Sequence, residues 1–341
     1  MLRTTTTKVA VVKHGCSADV HPHQSPIEYS AWITIVLRIF SRWPGGASGL
    51  VRCHFDFELF LDCPSTRRRK MASKRQWEAR TKSKRWSEAF FLWYSPFWIA
   101  WTLLVVVPFE LYERAGKAGY MMIGLGTALP CVILPMLVQG KADRDLPWKE
   151  RHWVKVTVWI AIYSFVGNYF WTHYFYKVLK AEYTFPSWML NDVPIPLYFM
   201  THAYFCFYHT ISNICLRVVK AKCMNWKSIW MKRLVFAITV LGLSYSVALT
   251  EALTIAHFPY YRYEDPYLFY SVGSLYYGIY FMVSFPVFFR MDESPREKWT
   301  LGRAAMDSLA AAMLVTILLD LWRLALGPVT GGSANGLPWM P

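Results

Sequence analysis

Seven ionisable side chains lie within long apolar segments, where they could transfer protons, bind a metal or form ion pairs. They are His173, His202, His209, Glu251, Asp307, Asp320 and Arg323. An ionisable group inside a membrane-spanning segment is costly to bury and is a functional candidate by default. A carboxylic acid shielded from water can keep its proton at neutral pH, and imidazole titrates near neutrality. The set could therefore supply both an acid and a base.

Depth along the predicted helices brings some of these groups into one layer. At 1.5 Å of rise per residue, His202, Glu251 and Asp320 lie roughly 8–10 Å from the same membrane face. His173 and Arg323 are slightly shallower. Glu251 has no obvious partner within its own segment, which makes it the most suggestive member.

Structural roles are open alternatives for several of these residues. Asp320 and Arg323 are three apart and could pair on one helix face. Asp307 lies near a helix start, where the helix dipole favours a carboxylate. A lone histidine between helices often serves as a hydrogen-bonded contact, as His173 could.

The spacing of the histidines argues against a metal site. His202 and His209 share a helix face with Cys206 and Asn213 in the stretch THAYFCFYHTISN. Seven residues correspond to about 10.5 Å of rise, whereas paired ligands on one helix are usually four residues apart. The seven cysteines form no CxxC pair, so we predict neither a metal centre nor a disulfide framework.

Apolar segments long enough to cross a bilayer recur along the chain and would position these residues. Only 17% of the residues are charged, against about 25% in soluble domains. The sequence therefore predicts an all-α, polytopic membrane protein with about seven transmembrane helices. These are expected near 89–109, 119–138, 154–176, 196–216, 234–256, 267–289 and 304–327.

Basic residues predict the orientation of these helices. Lysines and arginines, among them Lys84, Lys155 and Arg217, concentrate in alternate loops, which predicts a cytosolic N-terminus. We attribute the net charge of +15 to these loops and to anionic lipid headgroups, and expect no nucleic-acid partner.

The first 70 residues differ from the rest and contain no segment long enough to span a membrane. We expect 1–70 to be disordered or a non-native extension, with Met71 as the natural start; a genuine targeting arm is the alternative. The predicted domains are a basic cytosolic segment at 71–88, a membrane domain at 89–327 and a non-cytosolic tail at 328–341.

Long stretches resemble one enzyme family. The chain has no P-loop, GxGxxG or GxSxG motif, so neither nucleotide binding nor serine hydrolysis is indicated. It does contain SKRWSEAFFLWYSPFW (83–98), GKADRDLPWKERHWVK (140–155), GNYFWTHYFYKVLKAEYTFPSW (167–188), FPVFFRMDE (285–293) and AAMLVTILLDLWRLALGP (311–328). From about Lys82 onward these resemble the plant cycloeucalenol cycloisomerase (cyclopropyl sterol isomerase) family.

The resemblance implies an isomerase of the endoplasmic reticulum membrane. It would open the 9β,19-cyclopropane ring of the 4-methylated sterol cycloeucalenol to give obtusifoliol, without a cofactor or a redox change. A sterol-binding or transport protein without turnover is the alternative. Protein partners are not indicated.

Ring opening needs an acid for the cyclopropane methylene and a base for the proton on carbon 8. From that chemistry, we predict Glu251 or Asp320 as the proton donor, with His202 or His173 as base or relay. The sterol hydroxyl would meet His209 or Asn213. Aromatic faces stabilise cations, so the substrate-binding candidates also include Trp171 and Trp322, together with Arg323.

Overall fold

The computed structural model describes residues 76–255 and 258–327. Seven long helices account for most of this part. They are α1 (Lys82–Ala100), α2 (Lys117–Leu137), α3 (His152–Val166), α4 (Ile195–Lys222), α5 (Ile229–Ile255), α6 (Ser274–Phe289) and α7 (Leu301–Leu326). The mostly helical prediction is confirmed. The predicted segments 1–70 and 328–341 fall outside the described residues.

Within the described residues, five helical segments are long and apolar enough to cross a membrane. They are Lys82–Val106, Lys117–Leu137, Ile229–Ile255, Pro266–Phe289 and Leu301–Leu326. They support a multi-pass membrane protein. The predicted third and fourth spans are helical, but polar side chains keep them outside this set. The count of seven and the cytosolic N-terminus remain predictions.

Several helices continue through wider, π-helical turns. The segment Trp101–Val106 extends α1 beyond Pro96, a residue that cannot donate to the helical hydrogen-bond ladder. After α3, the helical path continues through Gly167–Trp171, Thr172–Tyr174 and Phe175–Leu179. Such turns shift side chains around the helix axis and often occur at functional sites.

Two small antiparallel sheets add to the all-α architecture expected from the sequence. β1 (Glu182–Tyr183) pairs with β4 (Tyr261–Arg262), and β2 (Met189–Leu190) pairs with β3 (Val193–Pro194). Both follow or precede helices at one end of the bundle, which we call the sheet end. Two-residue strands give no period-two pattern, so the sequence does not reveal them.

Buried ion pairs join the helices at the opposite end, which we call the charged end. The Arg217 guanidinium donates to Glu88 at 2.7 Å and to Glu293 at 2.8 Å. Lys84 lies 3.0 Å from Glu293. Lys84 is fully buried and Arg217 is 6% exposed, so these residues do not face lipid headgroups as the loop assignment had implied.

Lys155 also departs from the loop assignment. It is buried in α3 and forms a 2.7 Å ion pair with Asp292. Asp292 in turn accepts from the backbone N–H of Trp299 at 2.8 Å. The segment between α6 and α7 is therefore fixed to α3 by a charge pair that the hydropathy pattern does not indicate.

Charge also sets the protonation of Glu293, which lies between α6 and α7. Burial would raise the pKa of this carboxyl, but hydrogen bonds from Arg217 and the charge of Lys84 lower it below its usual value. Its contribution to stability is therefore present above the ordinary carboxyl pKa and is lost as the pH falls through the lowered value.

An aromatic core fills the centre of the bundle. Trp159 stacks on Tyr163 with 4.8 Å between ring centroids, and Phe281 stacks on Phe285 at 5.1 Å. Tyr163 donates to the carbonyl of Tyr280 at 2.7 Å. This packing joins α3 to α6 and fixes the rotation of α6, which carries part of the candidate site.

Candidate functional site

Glu251 lies near the sheet end of α5 with its carboxyl group facing other helices. The hydroxyls of Tyr208 and Tyr277 lie beside it, close enough to hydrogen-bond. The Oε2 atom of Glu251 is buried, and it accepts no hydrogen bond from either hydroxyl or from any other group in the described part of the chain. An acceptor buried without a donor is costly, which marks this carboxyl as a functional candidate.

Four tyrosines on two helices surround this carboxyl, and we call them the helical tyrosines. Tyr204 and Tyr208 are four apart on α4, and Tyr277 and Tyr280 are three apart on α6. Each interacts electrostatically with Glu251. Residues three or four apart share a helix face, so each pair lies on one face of its helix.

Two further tyrosines approach Glu251 from the sheet end, and we call them the strand pair. Tyr183 and Tyr261 are directly opposite in the β1–β4 ladder, with ring centroids 4.7 Å apart. Both interact electrostatically with the Glu251 carboxyl. Six tyrosines from three parts of the fold thus lie within electrostatic range of one carboxyl group.

This group is not completely enclosed. Glu251, Tyr204, Tyr208 and Tyr277 are only partly buried although they face neighbouring helices. A carboxyl group among aromatic faces can donate a proton to an apolar ligand and help stabilise the cation that results. These tyrosines were not among the residues predicted from the sequence, although YxxxY on α4 and YxxY on α6 are a signal at helical spacing.

Asp320 and Arg323 lie elsewhere, paired on α7. The two side chains are 2.9 Å apart, and Tyr174 donates to the same carboxyl at 3.4 Å. Trp322 lies edge-on to Tyr276 at 5.4 Å. This geometry matches the alternative of an i,i+3 ion pair. The pairing with Arg323 makes Asp320 less available as a proton donor than Glu251.

His202 faces away from the helical tyrosines. It is two residues from Tyr204 on α4, a rotation of about 200°. Its Nε2 lies 3.9 Å from the Cys206 sulfur, and both are buried. His202, Glu251 and Asp320 were predicted to lie at one depth in the membrane. Their side chains face different parts of the bundle and do not form one cluster.

His202 instead belongs to a buried group that could hold a metal. The ligand atoms of Cys131, His202 and Cys206 all lie within 4.8 Å of one another. Cys131 comes from α2, so spacing within α4 could not reveal this group. Two thiolates and a neutral imidazole would give an uncharged site with a divalent ion, suitable for zinc.

His209 and Asn213 have protein partners. The Phe205 carbonyl can only accept, so His209 Nδ1 donates to it at 2.8 Å, and Nε2 accepts from Ser284 at 2.9 Å. Asn213 donates to Glu88 at 3.2 Å and lies at the charged end. These contacts resemble hydrogen-bonded helix contacts, and the sterol-binding role of both residues remains a prediction.

His173 and Trp171 lie in the helical path after α3. His173 is buried beside the Tyr176 ring, with 5.7 Å between centroids. Trp171 is fully buried, donates to Thr316 at 2.8 Å and lies 4.4 Å from the Tyr280 ring. Trp171 therefore stands behind the helical tyrosines, where it supports Tyr280.

Comparison with known proteins identifies the family. A curated protein named cycloeucalenol cycloisomerase, from Arabidopsis thaliana, is 51% identical over 269 residues, which cover 77% of this chain and 96% of the relative. No family model matches the chain, and no solved structure matches it. The resemblance inferred from the sequence is confirmed, and the protein is an isomerase of sterol biosynthesis. On this identity and coverage, the chain belongs to the cycloeucalenol cycloisomerase family.

Proposed function

We propose that the protein opens the 9β,19-cyclopropane ring of cycloeucalenol, a 4-methylated sterol, to give obtusifoliol, with Glu251 as the proton donor. The observation that carries this proposal is the Glu251 carboxyl, with an unsatisfied Oε2, among the helical tyrosines. The family relationship supports the reaction. The geometry supports Glu251 over Asp320, which is engaged with Arg323.

The first step is proton transfer to the strained ring. The protonated carboxyl donates its proton to the cyclopropane methylene, carbon 19. The bond between carbons 9 and 19 breaks, its electron pair forms the new C–H bond, and carbon 19 becomes an angular methyl group. Relief of ring strain favours this step, but water alone is too weak an acid, so a positioned general acid is needed.

The helical tyrosines act on the tertiary cation that forms at carbon 9. Their ring faces carry partial negative charge and stabilise a nearby cation in a site shielded from water. The Tyr208 and Tyr277 hydroxyls lie beside the carboxyl and orient it. The same hydroxyls stabilise the carboxylate after it has lost its proton, because hydrogen bonds to the charged form favour it.

The second step removes the proton from carbon 8 and forms the Δ8 double bond. His202 and His173 were the candidate bases, but His202 faces Cys206 and His173 lies beside Tyr176. We propose that the Glu251 carboxylate accepts this proton itself. One group then serves as acid and base, which restores the protein without a net proton, electron or cofactor.

The substrate enters from the lipid bilayer. Loop charges support seven spans, a cytosolic N-terminus and, with the family, residence in the endoplasmic reticulum membrane. The apolar helices support direct access for an apolar ligand. A sterol-binding or transport protein without turnover is not favoured, because the relative is named as an isomerase.

Conversion of the sterol tests this function. The full chain is expressed in cells that lack such an isomerase, and their membranes are incubated with cycloeucalenol. We expect obtusifoliol to be detected by mass spectrometry, and none from membranes without the chain. Unchanged cycloeucalenol in membranes that contain the folded protein would refute the proposal.

Metal removal is expected to leave turnover unchanged, because proton transfer alone accounts for the reaction. Membranes are treated with a zinc chelator before the sterol assay, and the Cys131→Ser and Cys206→Ser variants are assayed beside the wild type. Equal turnover is the expected result. Loss of turnover on chelation that zinc restores would instead assign a metal to Cys131, His202 and Cys206.

A further inference from the structure

One member of the strand pair, Tyr183, lines a cavity at the sheet end. The cavity has a volume of about 320 Å³ and is lined by Tyr176, Lys180, Ala181, Glu182, Tyr183 and Asp192. Lys180 and Glu182 are exposed. A cavity with charged, exposed lining residues holds water, so this one brings water to the Tyr183 side chain.

Tyr183 has a position that no other residue of the cavity lining shares. It lines the cavity and also interacts with the Glu251 carboxyl. Its partner across the β1–β4 ladder, Tyr261, interacts with the same carboxyl and with Tyr176, which also lines the cavity. Two hydroxyl-bearing side chains in contact with each other therefore lie within electrostatic range of the proposed acid, and one of them borders the cavity.

The ladder fixes this geometry. Glu182 pairs with Arg262 and Tyr183 pairs with Tyr261. The Thr184 N–H donates to the Tyr260 carbonyl at 2.8 Å and extends the pairing. Side chains directly opposite in an antiparallel pair remain in contact, so the two tyrosine rings stay together at the end of α5. A hydroxyl can donate and accept at once, as a proton relay requires.

We propose that Tyr183 and Tyr261 form a relay through which the Glu251 carboxyl exchanges its proton with water in the cavity. The inference rests on the proposed function of Glu251. In each exchange, one proton leaves the carboxyl and one enters from water, while each tyrosine oxygen passes on one proton and accepts another. Both tyrosines end as neutral hydroxyls, and no bond to carbon changes.

Solvent deuterium distinguishes this relay from a structural role. During many turnovers in heavy water, the wild type should place deuterium in the new angular methyl group of nearly every product molecule. Without the relay, Glu251 reuses the proton taken from carbon 8 of the preceding substrate. We therefore expect the Tyr183→Phe and Tyr261→Phe double variant to lower the deuterium content of each product molecule severalfold, a ratio that does not depend on how much product forms.

Controls separate the possible outcomes. Tyr267 is 78% exposed and lies outside the site, so Tyr267→Phe should label its product as the wild type does. Unchanged label in the double variant would overturn the relay. Absence of any Δ8 product from the wild type would instead refute the proposed function.

Infrared spectroscopy gives a second measurement that needs no substrate. The carbonyl band of a protonated carboxyl shifts when its proton is replaced by deuterium. Glu251→Gln identifies the band in the full chain. We expect its exchange in heavy water to slow severalfold in the double variant, and an unchanged exchange rate would overturn the relay even if the variant is inactive.

Discussion

Replacing Glu251 by glutamine is expected to lower sterol turnover by roughly 10²–10⁴-fold, the usual contribution of a general acid–base group. Glutamine keeps the shape of the side chain and can still hydrogen-bond to Tyr208 and Tyr277, but it has no proton to donate to the cyclopropane. The measurement is the initial rate of obtusifoliol formation in membranes with equal amounts of folded protein.

Asp320→Asn provides the matched comparison, because Asp320 is the other carboxyl predicted from the sequence to be a donor. Its ion pair with Arg323 leads us to expect that most turnover is retained. Loss of turnover in Asp320→Asn together with normal turnover in Glu251→Gln would transfer the donor role to Asp320. Normal turnover in both variants would refute a carboxylic acid donor altogether.

Replacing Arg217 by methionine is expected to destabilise the protein by about 3–5 kcal/mol, the usual cost of removing one partner of a buried ion pair. Arg217 donates to both Glu88 and Glu293, and methionine would leave these carboxylates facing each other with Lys84 as the remaining cation. Thermal unfolding of the detergent-solubilised protein, followed by size-exclusion chromatography, measures the effect.

The same substitution at Arg290 is the control for Arg217. Arg290 is an exposed side chain, with a side-chain exposure of 60%, and it pairs with Asp307 at 3.0 Å. Exposed pairs contribute only about 0–1 kcal/mol, so Arg290→Met should unfold close to the wild-type temperature. Equal destabilisation of the two variants would show that burial of the charged end does not determine stability.

Much of the helical framework could be predicted from the sequence, because segment length and hydropathy determine where helices cross a bilayer. Depth could also be estimated, since rise per residue is constant. Glu251 was singled out because it lacked a partner in its own segment, and its Oε2 has none among the described residues.

Rotation about each helix axis could not be predicted in the same way. His202 and Glu251 share an estimated depth, yet His202 faces Cys131 and Cys206, while Glu251 faces tyrosines of α4 and α6. Which face meets which neighbour depends on packing between segments far apart in the chain. The same limit concealed the burial of Lys84, Lys155 and Arg217, which the sequence assigned to loops.

A single-turnover experiment in heavy water tests most directly whether an exchangeable carboxylic acid opens the ring. The wild-type protein is equilibrated in heavy water and mixed with less than one equivalent of cycloeucalenol, so that each site acts once. We predict one deuterium in the new angular methyl group of obtusifoliol, and product formation by Glu251→Gln slowed by roughly 10²–10⁴-fold. Obtusifoliol without deuterium at that methyl group would contradict proton donation by Glu251.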